Sequence, residues 1–333
     1  MKGEEFKDDY RKALPAVVVQ RLARRSARRA SLAIAQDLAV IAAALAAGVA
    51  FWPNPLVLAA CVLVIGTRQH ALFVMAHEAA HYLLYDSRTV NDVVGCACAM
   101  LQGLSMRTYR VIHRLHHNNL YGELDPDTAL HGGYPRGRAY LVKKLLKDLT
   151  GFTAWKTYAY FLGGAPALNT ATNKAMRPLD DTSEKLRREA RRDRNLVIAC
   201  HVLLLAVFAW SGYLLEYLVL WVLPLVTVVQ ALLRLRAIAE HGAPGELSSP
   251  LTAARTNVAP RWLEWLLFPH AVNFHIEHHL YASVPQHNLR ELHAEMVRAG
   301  VLQGAEVVPF RVTLKKIFAD RARVDGAAVG QPH

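Results

Sequence analysis

The chain has 333 residues, 53% of them hydrophobic, with a mean hydropathy of +0.14. That is richer in apolar residues than an ordinary soluble domain and makes a membrane protein the leading class. Thirty-nine Lys and Arg against 27 Asp and Glu give a formal charge of +12, grouped beside apolar runs as on a membrane face. No aromatic and basic interleaving or zinc-finger spacing supports nucleic-acid binding, so none is expected. Cys61, Cys96, Cys98 and Cys200 form neither a disulfide framework nor a Cys-rich metal site and read as reduced core residues.

The N-terminus is charged (Lys2, Glu4, Glu5, Lys7, Asp8, Asp9), which argues against a removable signal peptide and puts membrane insertion on internal segments. A first apolar run covers residues 32–52 and a second 56–75, with a tight turn at Pro53, Asn54 and Pro55 between them. Each is about 20 residues, enough to span a hydrocarbon core. Asp37 in the first should lie at the interface or face the bundle. The apolar stretches 93–104 and 152–168 are too short or interrupted to span and read as interfacial or buried helices. Residues 180–194 read as a charged linker of helical composition. A second pair of spans covers 196–210 and 215–233 around a turn at Ser211, Gly212 and Tyr213, and residues 326–333 read as a frayed end. The expected architecture is all-α and integral to the membrane: about four transmembrane helices in two hairpins, with a cytoplasmic helical cap carrying a histidine-rich metal site. The domain boundaries drawn are a basic cytoplasmic segment 1–30, a membrane domain 31–310 and a C-terminal tail 311–333.

Orientation follows from basic residues. Arg21, Arg24, Arg25, Arg28 and Arg29 precede the first span, and Lys185, Arg187, Arg188, Arg191, Arg192 and Arg194 precede the third, so both segments are expected in the cytoplasm. Each hairpin then returns the chain to that side, where His77, His113 and His275 would meet.

In His77-Glu78-Ala79-Ala80-His81 the two imidazoles stand one helical turn apart on one face. In His113-Arg114-Leu115-His116-His117 and His275-Ile276-Glu277-His278-His279 a histidine is followed three and four positions later by an adjacent pair. With 16 histidines in 333 residues, one such H-x-x-H-H arises by chance about 0.04 times per chain, so chance does not explain two. Isolated histidines are better read as core residues (His70, His201, His270) or as surface or outer-sphere groups (His131, His287, His293, His333). All-histidine ligation suits iron, copper, nickel or zinc. Eight cluster histidines exceed the three or four ligands of one zinc, which points to two metals. His241, after Glu240 and just beyond the fourth span, is a candidate ninth ligand.

The set H-x-x-x-H, H-x-x-H-H and H-x-x-H-H, with a further histidine before the last box, resembles the membrane fatty acid desaturase and hydroxylase superfamily. Asp125-Pro126-Asp127 after the second box and Asn273 before the third add to the likeness, which runs over residues 56–285. It implies a cytoplasm-facing centre of two iron ions held by His77, His81, His113, His116, His117, His241, His275, His278 and His279. Acyl-CoA desaturases of animals and yeast place an Asn four residues before the isolated histidine, where this chain has Ala237. That departure leaves Glu240 or Asn273 as outer-sphere partners, while Glu78, Asp125, Asp127 and Glu277 are candidates to accept hydrogen bonds from ligand N–H groups.

A saturated C–H bond yields to no side-chain acid or base, so the metals must supply the oxidising power, with dioxygen as oxidant. The expected activity is desaturation of a fatty acid or acyl chain; a fatty acid hydroxylase, a carotenoid ketolase or hydroxylase, an alkane monooxygenase and a terminal-alkene-forming decarboxylase share the same ligands. The chain has no haem domain, dinucleotide fingerprint or paired C-x-x-C, so a separate ferredoxin, rubredoxin or cytochrome-type donor is implied. A bacterial inner membrane is the expected location. Two rivals remain: an intramembrane zinc protease, because His77 to His81 also satisfies H-E-x-x-H, and a non-catalytic metal transporter. The first leaves two boxes without a role; the second calls for polar residues through several spans, where Asp37 is almost alone.

Overall fold

The computed structural model describes residues 12–169, 174–180, 182–247 and 249–320. The charged residues up to Asp9, the segment 326–333 and His333 lie outside these. Serine or asparagine side chains start the long helices by accepting from backbone N–H groups that lack helical partners. Ser26 caps α2 (Ala27–Ala50), which follows the short α1 (Ala16–Leu22); Asn54, with Pro55 in the first turn, caps α3 (Pro55–Ala80). Ser87 opens α4 (Arg88–Leu101) and Ser105 opens α5 (Met106–Asn119). Shorter helices α6 (Thr128–His131), α7 (Arg138–Leu149) and α8 (Ala154–Phe161) follow, then a hairpin of β1 (Ala167–Asn169) and β2 (Lys174–Met176).

The second hairpin is α9 (Glu184–Trp210) and α10 (Leu214–His241), and among the described residues α2, α3, α9 and α10 are the four helices long and apolar enough to cross a membrane. The architecture is therefore all-α with two membrane hairpins, as expected, but three boundaries move. Residues 184–194, expected as linker, are the first half of α9, because Ser183 caps the helix and no breaker interrupts the arginines, which are good helix formers. α3 runs on past residue 75 to Ala80, carrying His77 in its last turn and His81 as its C-cap. α10 runs on past residue 233 to His241, bent by a π-turn at Leu218–Val222 and by Pro224. The stretch 152–168 yields only the eight residues of α8, too few to cross.

Ala71 to Ala80 of α3 are buried almost without exception, and Leu72, Met75, Ala76 and Ala79 form the main core with residues of α2, α4 and α5. Gly95 lets α4 approach: a Cβ there would stand 2.3 Å from the Cβ of Ala79. By contrast α9 buries only Ala190 and Val197 and turns most of its apolar surface outward, as a helix facing lipid does.

After α10 come β3 (Thr256–Val258), α11 (Arg261–Leu267), α12 (His275–Leu280), α13 (Leu289–Arg298), β4 (Val307–Pro309) and α14 (Phe310–Ile317). β3 pairs in parallel with β4. The fold continues past residue 310: Thr313 and Ile317 are fully buried, and Thr313 donates to Asn257 Oδ1 at 2.6 Å. Leu14 and Leu22 pack into one cluster with Leu289 and Leu292 of α13.

Asp37 faces the bundle. Its carboxylate accepts from Arg68 Nη1 of α3 at 3.1 Å and meets His270 Nε2 at 2.7 Å, and Arg68 also donates to the Trp265 carbonyl and lies 3.7 Å over that indole ring. Asp37 is not almost alone as a polar residue of the spans: Arg68, Gln69, His70, Gln230, Arg236 and Glu240 are buried in α3 and α10.

Candidate metal centre

Four elements deliver the histidines to one place. His77 and His81 end α3, His113, His116 and His117 line the last turns of α5, His241 ends α10, and His275, His278 and His279 make up half of α12. Two tetrads result: His77, His81, His113 and His278, and His116, His241, His275 and His279. Within each, one ring nitrogen per residue lies within 4.8 Å of the others. His117 bridges the two, with Nε2 3.0 Å from His278 Nε2 and its ring stacked 4.2 Å from that of His279.

Nε2 atoms converge: His77 to His278 at 2.9 Å, His81 to His113 at 2.7 Å, His241 to His275 at 2.8 Å and to His116 at 3.2 Å. Neighbouring nitrogens held about 2.1 Å from one metal would stand about 3 Å apart, so the donors fit a metal. Several Nδ1 atoms face outward to partners. His77 Nδ1 meets the Tyr109 hydroxyl at 3.1 Å, His116 Nδ1 meets Asp125 Oδ1 at 3.0 Å, and His241 Nδ1 donates to the Ala253 carbonyl at 3.2 Å. A proton fixed on Nδ1 leaves the Nε2 lone pair free to ligate. Burial, reinforced by the neighbouring imidazoles, holds His113, His117, His275, His278 and His279 well below the usual histidine range, and burial brings His81 down to about 4. His116 goes the other way: burial opposes its charge, but Asp125 overcomes that and raises it.

The acidic candidates divide. Asp125 is fully buried and orients His116; it also accepts from the backbone N–H groups of Tyr121 at 2.9 Å and Asp127 at 3.0 Å. Burial works against its charge, yet His116 and His131 hold its carboxyl well below the usual carboxylate range. Asp127 Oδ2 is 3.9 Å from His116 Nδ1, and Glu240 Oε2 is 3.7 Å from His275 Nε2. Glu78 instead accepts from Gln286 N at 2.8 Å, and Glu277 accepts from the Thr256 hydroxyl and contacts His293 Nδ1, each at 2.5 Å. Both tie the boxes to neighbouring loops and neither hydrogen-bonds a ring of the tetrads among the described residues. Asn273 donates to the Asn257 carbonyl at 3.0 Å, beside the third box.

Of the two places the sequence allowed His131, surface or outer sphere, it takes the second: it is 1% exposed, its ring lies 4.9 Å from that of His241, and it forms a third potential metal group with His116 and Asp125. Two contributors escaped the sequence reading, Tyr109 and Arg236. Tyr109 stacks on His113 at 5.5 Å; its position one turn before that histidine was a usable signal. Arg236 lies one turn before Glu240. Among the other isolated histidines, His70 is fully buried, His201 Nε2 bonds the Met100 carbonyl at 2.9 Å, and His270 pairs with Asp37.

A cavity of about 310 Å³ opens against both tetrads, touching His77, His113, His116, His241 and His275. Its other walls include Phe73, Phe161 and Leu233, with Tyr160, Gln230, Arg236, Ala237 and Glu240. This is the low end of the range for small-molecule sites, about 300–1,000 Å³.

The family model described as fatty acid desaturase matches residues 53–310. A dihydrorhizobitoxine desaturase of Bradyrhizobium elkanii is 27% identical over 263 residues, 76% of this chain and 70% of that protein. A probable fatty acid desaturase of Sorghum bicolor is 28% identical over 237 residues, 68% of this chain and 60% of the relative. An sn-1 oleoyl-lipid 12-desaturase of Synechocystis sp. is 26% identical over 259 residues, 69% of this chain and 66% of the relative.

Proposed function

Because the chain belongs to the fatty acid desaturase family, and is thus an integral membrane protein of a lipid-oxidising, iron-dependent group, we propose that it is a di-iron, dioxygen-dependent desaturase. The observation that carries this reading is the pair of adjoining histidine tetrads with one cavity open to both. His77, His81, His113, His278 and His117 would hold one iron, and His116, His241, His275 and His279 the other. The irons supply the redox chemistry with dioxygen that no side chain offers. The substrate loses one hydrogen from each of two adjacent carbons; dioxygen, those two hydrogens, two protons and two electrons become two waters.

The residues around the tetrads have separate tasks. Tyr109, Asp125 and the Ala253 carbonyl fix the rings of His77, His116 and His241, the outer contacts that keep ligands aligned. Phe73, Phe161 and Leu233 give the cavity its apolar wall and exclude water from the reacting carbons. Residues 31–310 form the catalytic unit in this reading. The electrons come from a separate ferredoxin, rubredoxin or cytochrome-type donor, attracted by the basic residues before and at the start of α2 and along the first turns of α9. By the positive-inside rule the same basic residues support a site on the cytoplasmic face, in a bacterial inner membrane.

The test is to reconstitute the protein in nanodiscs, count iron, and follow oxygen uptake and products by mass spectrometry with a panel of fatty acids, lipid-linked acyl chains and thioesters. Two irons per chain and a new double bond are expected, with His116→Ala losing iron and turnover together while still inserting in the membrane. An alcohol or a terminal alkene as product would replace desaturation by hydroxylation or decarboxylation on the same centre. A single zinc with proteolysis, or His116→Ala at full activity, would overturn the reading.

A further inference from the structure

Arg236 is a guanidinium inside a membrane-spanning helix, its side chain 9% exposed, and it lines the cavity beside His275 and Glu240. Among the described residues its Nε and Nη1 have no hydrogen-bond partner. The nearest carboxylate, Glu240 Oε1, stands 3.8 Å from Nε, beyond hydrogen-bond reach, and that oxygen also lacks a partner. Buried donors of a charged group are costly to leave unmade, and an ionised side chain in a span is retained where it has work to do. The neighbouring cation shows the contrast: Arg234 donates to both oxygens of the buried Asp148.

We propose that Arg236 grips the carboxylate of the substrate, so that the enzyme acts on a compact free carboxylic acid and oxidises it near its carboxyl end. This rests on the oxidase reading above. A guanidinium presents parallel N–H donors that match a carboxylate in two-point contact. Glu240 approaches from the Nε side, and the Arg236 side chain lies against the cavity. Position then dictates which carbon reacts. Glu240 stands between the two, with Oε1 3.8 Å from Arg236 Nε and Oε2 3.7 Å from His275 Nε2, so a single carboxylate side chain spans the gap from Arg236 to the second tetrad. Carbons next to the carboxyl group would face the tetrads, whereas a mid-chain carbon of a long acyl chain anchored there would fall beyond them. The volume of about 310 Å³ suits a compact acid: the wall is largely apolar, interrupted by Tyr109, Tyr160, Gln230 and Glu240, with Lys144, Lys156 and Arg234 as its other cations. A thioester or ester has no anionic oxygen pair for Arg236 to hold.

The experiment measures binding by titration calorimetry to iron-loaded protein in nanodiscs under argon, where no turnover occurs. The probes are hexanoate, methyl hexanoate, octadecanoate and octadecanoyl-CoA. Hexanoate is expected to bind at least tenfold more tightly than its methyl ester. Arg236→Gln should weaken hexanoate by about 10- to 100-fold and leave the ester unchanged, while Arg236→Lys, which keeps the charge but loses the fork, should fall between. Equal binding of acid and ester by the unaltered protein would overturn the proposal without any variant. So would Arg236→Gln that still binds hexanoate fully, since the acid would then be held by iron, or octadecanoyl-CoA binding more tightly than either free acid. Carboxylate binding that follows Arg236 in a protein that takes up no oxygen would keep this site and reject the oxidase reading; oxygen-dependent desaturation with no acid preference would do the reverse.

Discussion

Replacing Asp37 by leucine should destabilise the protein far more than replacing Asp37 and Arg68 together. The Asp37 and Arg68 side chains are 1% and 3% exposed, joined at 3.1 Å, with His270 at 2.7 Å on the other carboxylate oxygen. Asp37→Leu leaves the guanidinium charge without its counterion in a dry interior, a loss of about 3–5 kcal/mol, a large part of the about 5–15 kcal/mol that holds a typical domain. Asp37→Leu with Arg68→Met replaces both charges by apolar groups of similar size and should return to within about 1–2 kcal/mol of the parent. Denaturant unfolding of purified protein in detergent micelles, followed through tryptophan emission, measures the coupling between the two sites. His270 lies five residues before His275, so the single variant should also bind less iron. If the two single losses simply add in the double variant, or if Asp37→Leu unfolds like the parent, the ion pair does not hold the loop before the third box.

Asp125→Asn keeps the shape at His116 but removes the charge that orients its ring at 3.0 Å; metal affinity should fall by about 10- to 100-fold, read by competition with a coloured chelator. In chelator-stripped protein, stability should be fully present above pH 6.5 and decline as pH falls toward 4. His81 and its buried neighbours protonate near 6.5 when unfolded but only at much lower pH when folded, so acid favours the unfolded chain. His81, brought from 6.5 to about 4, accounts for about 3 kcal/mol of that decline; His116, raised rather than lowered, opposes it. A melting temperature unchanged between pH 7 and 4.5 would contradict this.

The four apolar helices, both hairpin turns and the three boxes were legible because apolar length and helical histidine spacing are local properties of the chain. His241 was legible only through the reach of the fourth span. What escaped depended on distant partners. Arg68 sits 31 positions from Asp37, and nothing local in α3 announces that pairing. His131 looks isolated in sequence, which leaves surface and outer sphere both open, and joins the centre only because the loop after α5 turns back through Asp125. Arg236 in an apolar helix resembles an arginine reaching for the membrane surface; its unpaired nitrogens are visible only once α10 is packed. Glu78 and Glu277, adjacent to ligands in sequence, point elsewhere because neighbouring residues of a helix diverge by about 100°.

That divergence has a consequence at His116 and His117, and again at His278 and His279. Each adjacent pair sends one ring to one tetrad and its neighbour to, or toward, the other. Two short helices are thereby shared property of both sites, like a hinge pin passing through two leaves. On the proposed two-iron reading, an ion entering one tetrad would clamp α5 against α12, and the same clamp would set the opposite rings for the next ion. Loading should therefore be cooperative, and a lesion in either tetrad should be felt in both.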